Sequence, residues 1–594
     1  PQGAPAPRYP AHLLVVLAAV VLLAFSGLLR SIQTTTQLAA TSRDPYGVEL
    51  ALRRFAPART QLPPGARVAY FTDVPLNSDA GVAAFLATQH ALAPCLLLHP
   101  DLTAPPEFAI GNFSRPQNYQ RPGYDVAADL GNGVILYRDD HPMIDAWPLL
   151  SALALGGAAA EAAIPAPATL APPLRWLWRT ALAVPFALGI TSITTFALIW
   201  TGAASPLSIL AVELALLAAT AFALHRRRHP GSEPLPTTTP FSWNWALRIA
   251  AALATLLFLF NFQNATAAAP YGEWDASSIW NLRARFLAGG DAWRFAVAPG
   301  LNAQLTGASH PGYPLLLSAF IARGWILSSS VSPTLPAATA LLTSLATLLF
   351  LPAALAWRRA ESLGLLALLL LLASEGWLSQ TPVQYADVPL ALLLLASTAL
   401  LHTALDSAWS PRLALAAGLL AGFAAWTKNE GLVVLLALLA VTLLRGGSRP
   451  FLWTFAGALP GAVATLLLKT FLTQGGASLY PSSTSEALSM LASPARWSEV
   501  LRGYLDASLS LGFPLSHPLL LLAILAFVLR PASPERLRSA LFASLPALAL
   551  LAAGFTALLV TTANQQWHVS TAVNRLVIQV WPALLFTALL ASLP

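Results

Sequence analysis

Long apolar runs separated by short polar connections dominate the chain from residue 147 to its end. A run of roughly 18 or more apolar residues is long enough to cross the hydrocarbon core of a bilayer as a helix. An earlier run, Ala11 to Leu29, has no clear small-residue cleavage signature, so we interpret it as an anchor helix rather than a removed signal peptide. We predict about 14 membrane spans, near 11–29, 147–165, 176–200, 205–225, 245–263, 336–356, 363–380, 387–405, 412–426, 430–445, 450–472, 516–530, 540–562 and 573–592.

Residues 31–145 do not follow this pattern, because they are charged, rich in proline and without a membrane-length apolar run. Short apolar segments at 67–71 and 133–137 indicate strands, and apolar residues at helical spacing predict a helix over 79–92. We therefore expect a small α/β domain here. The predicted organisation is an anchor (1–30), this α/β domain (31–145) and a helical membrane domain (146–594).

Composition supports a polytopic membrane protein and excludes an ordinary soluble one. Of 594 residues, 56% are hydrophobic and only 10% are charged, whereas soluble domains carry about 25% charged residues. The single cysteine, Cys95, excludes a disulfide framework and a multi-thiolate metal site. The formal charge of +7 is better explained by charged loops beside a lipid bilayer than by a nucleic-acid partner.

The basic residues occupy alternate connections, which the positive-inside rule assigns to the cytoplasm. They are Arg175 and Arg179, Arg226 to Arg228, Arg358 and Arg359, Arg412, Arg445 and Arg449, and Arg530, Arg536 and Arg538. In the short connections between them, Lys428 is the only lysine or arginine. The residues 31–145, a long loop at 264–335 and a loop at 473–515 are then predicted to be extracytoplasmic.

The long outer loop opens with two carboxylates, Glu273 and Asp275, at the predicted membrane boundary. Ile279, Leu282 and Phe286 follow at helical spacing, which predicts a helix lying along the membrane interface. The plain alternative is a pair of solvated carboxylates at a helix end.

Two further polar clusters are predicted on the same face. His310 to Pro314, which includes Tyr313, forms a predicted rigid turn before an apolar segment. Asp387 lies between two helices, where it can cap the second helix with Pro389 in the first turn.

The last two clusters carry cations. Lys428 and Glu430 lie in a hairpin between two short apolar segments, where charge at membrane depth indicates function, although a structural ion pair is the alternative. Arg575 precedes the last apolar run and can bind a phosphate bidentately. His568 and Asn574 beside it are more often plain interfacial polar residues.

The motifs of common soluble enzymes, including Walker A, Rossmann, His-Glu-x-x-His and serine-elbow motifs, are absent from the sequence. Carboxylates and cations on one membrane face instead suit transfer of a group from a lipid phosphate, in which a base accepts the hydroxyl proton and cations stabilise the departing phosphate. A transporter or flippase of lipid-linked glycans is the alternative, against which stand the lack of internal repeats and the long outer loop. A polymerase or ligase of such glycans is a third hypothesis.

The polar clusters resemble those of the GT-C superfamily of polyprenyl-phosphate-sugar-dependent glycosyltransferases. The similarity is to the bacterial glycosyltransferase family 39 group, akin to protein mannosyltransferases and aminoarabinose transferases. It covers roughly residues 170–592 and rests on Glu273 to Arg285, His310 to Leu316, Tyr385 to Leu390, Trp426 to Gly431 and Trp567 to Leu576.

This resemblance implies a GT-C-like helical bundle and an inverting transfer from a polyprenyl-phosphate sugar to an unidentified acceptor hydroxyl (lipid, glycan or protein) outside the bacterial inner membrane. Asp275, with Glu273, would be the catalytic base or would orient the acceptor. Some members hold a divalent cation such as Mg or Mn on paired acidic residues here, and others need no metal. Residues expected to bind donor phosphate or substrate are Lys428, Arg575, Asp387, Glu430, His310, Tyr313 and His568. One departure is Gly312, where related sequences often have aspartate.

Overall fold

The structure, a computed structural model, consists mainly of helices. It describes residues 11–41, 44, 46–72, 74–98, 108–113, 147–164, 172–226, 244–298, 309–358, 360–406, 409–473, 480–531 and 533–592. The strand predicted at 133–137 lies outside the described residues, as do Arg227, Arg228 and Arg359.

Three strands and three helices make up the N-terminal part. They are α1 (Ala11–Thr41), α2 (Val48–Gln61), β1 (Arg67–Thr72), α3 (Asp79–Leu92), β2 (Leu96–Leu98) and β3 (Phe108–Asn112). The strands pair in parallel in the order β2-β1-β3. The helix predicted over 79–92 is present, and the Ser78 hydroxyl caps it by accepting from the Gly81 amide at 3.1 Å. The α/β domain as a unit of residues 31–145, and its extracytoplasmic position, stay predictions.

The remaining helices continue in chain order. They are α4 (Trp147–Ala163), α5 (Pro172–Trp200), α6 (Pro206–Arg226), α7 (Asn244–Ala268), α8 (Asn281–Leu287), α9 (Leu316–Ser328), α10 (Thr334–Trp357), α11 (Glu361–Leu372), α12 (Glu375–Gln380), α13 (Asp387–Asp406), α14 (Pro411–Thr427), α15 (Asn429–Val441), α16 (Ser448–Leu467), α17 (Thr484–Leu491), α18 (Pro494–Leu509), α19 (Pro518–Leu529), α20 (Pro534–Leu559) and α21 (Gln565–Leu590). A π-helical turn, Ala276–Trp280, leads directly into α8.

Within the described residues, ten helices are long and apolar enough to cross a membrane, or eleven if α18 and the segment through α19, bent by 82°, form one span. The chain is therefore a helical multi-pass membrane protein. The count of about 14 is not confirmed, because the segments near 147–165, 363–380, 412–426 and 516–530 form shorter helices. The region 363–380, for example, is divided by Ser374, whose ψ of 102° interrupts the helix between α11 and α12.

The helix predicted to lie along the membrane interface is instead buried on every side. Ile279, Leu282 and Phe286 are at most 2% exposed, and Arg283 on another face of the same segment is fully buried. The Arg283 guanidinium donates to the carbonyls of Ala296 at 2.7 Å and Pro311 at 3.2 Å. The prediction of a helix with one exposed face is wrong, because α3 and α9 pack against faces that the sequence pattern leaves exposed.

The central helix is α13, which packs against α10, α14 and α21 and is buried along nearly its whole length. Asp387 is its first residue and Asp406 its last. At 1.5 Å per residue the two ends are about 28 Å apart, close to the thickness of the hydrocarbon core. The two carboxylates therefore lie at opposite ends of a helix that is long enough to cross a membrane.

Candidate functional site

The buried carboxylate of Asp387 is the centre of a charged network. Its Oδ1 accepts hydrogen bonds from the Lys428 ammonium at 3.0 Å and from the Gln579 side-chain amide, and its Oδ2 accepts from Arg575 Nε at 3.0 Å. Asp387 has no exposed surface. The carboxylate predicted as a possible helix cap is therefore engaged by three side chains from two other parts of the chain.

Local structure explains why these groups converge. Arg575 and Gln579 lie one turn apart on α21, so both side chains lie on the face that packs against α13. Lys428 interrupts the helical path between α14 and α15 with extended backbone angles of φ −149° and ψ 163°. This break in the helical path turns its side chain toward Asp387.

Arg575 joins the Asp387 centre to the loop that follows α7. Its Nη1 lies 2.6 Å from Asp275 Oδ2, and its guanidinium lies 4.7 Å from the centroid of the Tyr385 ring. The Tyr385 hydroxyl in turn accepts from the Asp275 backbone amide at 3.2 Å. One cation thus holds two carboxylates that belong to separate motifs.

On the other side, Lys428 also pairs with Glu430 at 2.9 Å. The ion pair weighed as a structural alternative is therefore present, but it ends a longer chain that runs from Asp275 through Arg575, Asp387 and Lys428 to Glu430. The ends of this chain, Asp275 and Glu430, have side chains 16% and 24% exposed, while the central Asp387 side chain is 1% exposed. Two cations are thus shared among three carboxylates, and the exposed surface of the network is at its two ends.

Aromatic rings form one wall beside the network. The Tyr313 ring stacks on Trp280 at 5.6 Å and on His310 at 5.0 Å, and Lys428 Nζ lies 5.9 Å from its centroid. The turn predicted here is present, since the Tyr313 amide donates to the His310 carbonyl at 2.9 Å. Burial lowers the pKa of His310 below its ordinary value, which favours the neutral imidazole.

The loops that carry Asp275 and Asp387 are bonded directly to each other. The Glu273 amide donates to the Val383 carbonyl at 3.2 Å, and the Gln384 side chain donates to the Pro270 carbonyl at 2.9 Å. Gly272 permits this approach: its φ is +73°, and a Cβ there would lie 2.6 Å from the Val383 carbonyl oxygen.

Glu273 lies beside the network but faces the N-terminal part of the chain. Its carboxylate lies close to Tyr46, and burial together with the charge of Glu273 raises the pKa of Tyr46 to about 12. The Tyr46 ring packs edge-on against Trp274 at 5.7 Å. From α3, His90 Nδ1 lies 3.0 Å from the Ser277 carbonyl oxygen. Residues of the N-terminal part therefore pack against the acidic motif.

The predicted metal pair does not fit the geometry. Asp275 already faces the guanidinium of Arg575 at 2.6 Å, and Glu273 lies close to Tyr46. Among the described residues there is no group of three or more histidine, cysteine or acidic side chains placed to hold a metal ion. The reaction proposed below therefore uses no metal ion.

His568 is the predicted site residue that the structure leaves apart. Its Nδ1 lies 2.8 Å from the Thr561 hydroxyl. It also precedes Arg575 by two helical turns, about 10 Å along the axis. Two contacting residues were missed, Gln579 and Tyr385. The polar Gln579 within the apolar run of the last helix was the available signal.

Lys469, the other lysine of the chain, also lies close to the site. Its ammonium donates to the Gly312 carbonyl at 3.0 Å and to the Asn429 side chain at 2.7 Å. It thus fastens the His310–Tyr313 turn to the residue that follows Lys428.

Comparison with known proteins identifies no relative of this chain. No family model matches it, and no significant match occurs among curated proteins or solved structures.

Proposed function

We propose that this protein is a GT-C-like glycosyltransferase, similar to the bacterial family 39 group, that moves a sugar from a polyprenyl-phosphate donor to an acceptor hydroxyl. The observation that carries the proposal is the sharing of Asp387 by Arg575 and Lys428. These two cations are held at one end of the central helix, where a lipid phosphate at the membrane boundary can reach them. Ionisable groups as buried as Asp387 and Lys428 are costly in a membrane protein and indicate a functional site.

In the proposed reaction the acceptor oxygen attacks the anomeric carbon of the donor sugar. The bond between that carbon and the phosphate oxygen breaks, and its electron pair stays on the lipid phosphate. The hydroxyl proton passes to Asp275. Arg575 and Lys428 stabilise the charge on the departing phosphate, so no general acid is required. A single displacement inverts the anomeric configuration.

Arg575 couples the two halves of this reaction. Its guanidinium bonds Asp275 and Asp387 at once in the absence of donor. A donor phosphate placed beside Arg575 competes with Asp275 for the same N–H groups. Binding of the donor then releases the Asp275 carboxylate to accept the proton.

We also propose that the protein lies in the bacterial inner membrane, with the site facing the periplasm or exterior. It rests on the placement of arginines in alternate connections. The N-terminal sheet and α3, attached to the acidic motif through His90 and Tyr46, would form the extracytoplasmic α/β domain.

The test is transfer from a panel of radiolabelled polyprenyl-phosphate sugars by the purified chain and by Asp275→Asn. Asp291→Asn is the matched control, because Asp291 is an exposed aspartate of the same loop. We expect Asp275→Asn to bind donor but to transfer about 100-fold or more slowly, with Asp291→Asn unchanged. Undiminished transfer by Asp275→Asn would refute its role as the base. Movement of the intact donor across vesicles, without transfer, would favour the flippase.

A further inference from the structure

A second charged cluster lies at the opposite end of the central helix. The Asp406 carboxylate is shared by Arg358, Arg445 at 2.8 Å and Arg536 at 3.3 Å, and the Ser539 hydroxyl donates to it at 3.1 Å. We call Asp406 and these three arginines the arginine cluster. Three guanidinium groups share one carboxylate, so positive charge exceeds negative charge within the cluster.

This cluster is too shielded to be an ordinary solvated loop. The side chains of Arg358 and Arg445 are only 14% and 21% exposed. Like charges at such burial repel one another unless an anion offsets them. Arg538 adds a further positive charge nearby, since its guanidinium and that of Arg445 each lie 5.9 Å from the centroid of the Phe542 ring.

A small cavity of about 10 Å³, enough for about one water molecule, lies beside the cluster between α13, α15 and α20. Its wall includes Arg445, His402, Thr398, Leu438 and Phe542. Two polar atoms in this wall, Thr398 Oγ1 and His402 Nδ1, have no hydrogen-bond partner among the described residues, and both side chains are about 97% buried, with 3% of each residue exposed. The cavity therefore combines an apolar surface, a cationic rim and unfilled polar groups.

We propose that the arginine cluster binds the headgroup of an anionic phospholipid from the leaflet at this end of the bundle. The phosphate oxygens match the guanidinium groups of Arg445 and Arg536. The acyl chains stay in the surrounding bilayer, because the cavity beside the cluster has room for about one water molecule. Because α13 joins this cluster to Asp387, the bound lipid also fixes the helix that centres the candidate site.

The experiment measures lipid retention by native mass spectrometry. The full chain is purified from vesicles of phosphatidylcholine containing about one fifth phosphatidylglycerol. We expect wild-type protein to retain phosphatidylglycerol in preference to phosphatidylcholine. Arg445→Gln and Arg536→Gln should each reduce that retention at least about fivefold, the effect expected for one arginine at an anionic surface.

Arg412→Gln is the matched control, because Arg412 is an exposed arginine at the same end of the bundle. It should retain the lipid as wild type does. Equal retention of both lipids by the wild type, or an equal loss in Arg412→Gln, would overturn the proposal. Thermal unfolding of each variant identifies any that fails to fold, and Arg536, the most exposed member at 36%, is the least demanding substitution. Neither result depends on whether the protein transfers sugars.

Discussion

Arg575 on the last helix holds Asp275 of the loop that follows α7 at 2.6 Å, and the same guanidinium also bonds Asp387 at the start of α13. The two carboxylates are thus positioned by one cation that has a planar, forked geometry. Because only a bidentate group can serve both acceptors at fixed angles, the site depends on arginine itself and not merely on its charge.

Arg575→Lys tests this dependence. An ammonium keeps the charge but cannot serve both carboxylates with the same geometry, so we expect transfer to fall at least about 100-fold while the protein still folds. Arg502→Lys is the control, because Arg502 is 67% exposed on α18. Rates near wild type for Arg575→Lys would show that charge alone suffices.

Asp387→Asn should destabilise the protein, because the buried Lys428 and Arg575 lose the carboxylate between them and keep only the more exposed Glu430 and Asp275 as partners. Removing one partner of a buried ion pair costs about 3–5 kcal/mol. We expect Lys428→Met to recover part of that loss in the double variant, with a coupling of about 1–3 kcal/mol by thermal unfolding in nanodiscs. The same cycle on the more exposed Arg179 and Glu161 pair should give less than about 1 kcal/mol. Additive effects at Asp387 and Lys428 would contradict the network.

Gly272→Ala should separate the two loops of the site. The substitution places a Cβ 2.6 Å from the Val383 carbonyl oxygen at a φ of +73°. Gly290→Ala is an unusually close control, because Gly290 has a φ of +62° with open space around the Cβ position. Both variants bear the backbone strain, about 1–2 kcal/mol. Only Gly272→Ala should lower transfer, by about tenfold or more, because only it displaces Asp275. Equal rates in both variants would show that the loop contact is not needed.

We expect the contact that His90 makes between α3 and the acidic loop to be lost in acid. A carbonyl only accepts, so Nδ1–H donates to Ser277, and the buried Nε2 has no partner among the described residues. Burial, with Arg285 contributing, holds the pKa of His90 well below 6.5. The unfolded chain therefore binds a proton first as pH falls, and stability present above about pH 6.5 is lost below it.

Thermal unfolding between pH 7.5 and 5 measures this loss. We expect His90→Gln to show a smaller decrease in Tm than the wild type, since it removes the titrating group. His225→Gln at the exposed end of α6 should behave as the wild type does. Identical pH profiles for wild type and His90→Gln would exclude the contact as the acid-sensitive element.

Removal of divalent cations should leave transfer unchanged. Asp275 faces Arg575 and Glu273 lies close to Tyr46, so the acidic pair presents no free chelating site. The measurement is the transfer rate after exhaustive treatment with EDTA, with and without added Mg²⁺ or Mn²⁺. A rate that collapses with EDTA and returns with Mg²⁺ would show that donor binding rearranges both carboxylates around a metal ion.

The apolar pattern by itself predicted a multi-pass helical protein, because a membrane-length run of apolar residues has few other stable outcomes. It also predicted the helix over 79–92, where a serine cap and helical periodicity agree. It could not give the number of spans. Shorter apolar segments such as α14 have the same composition as spans, and their ends depend on breaks such as Lys428.

The residues of the candidate site were visible as separate motifs, since charge is rare in such a chain. Only the tertiary structure decided which of them meet. It places Arg575 between Asp275 and Asp387, adds Gln579 and Tyr385, and leaves His568 two turns away. It also gathers Arg358, Arg445 and Arg536, which the sequence marks only as loop charge, around one carboxylate. Local pattern fixes which segments are apolar, but contacts between residues far apart in sequence depend on how the helices pack.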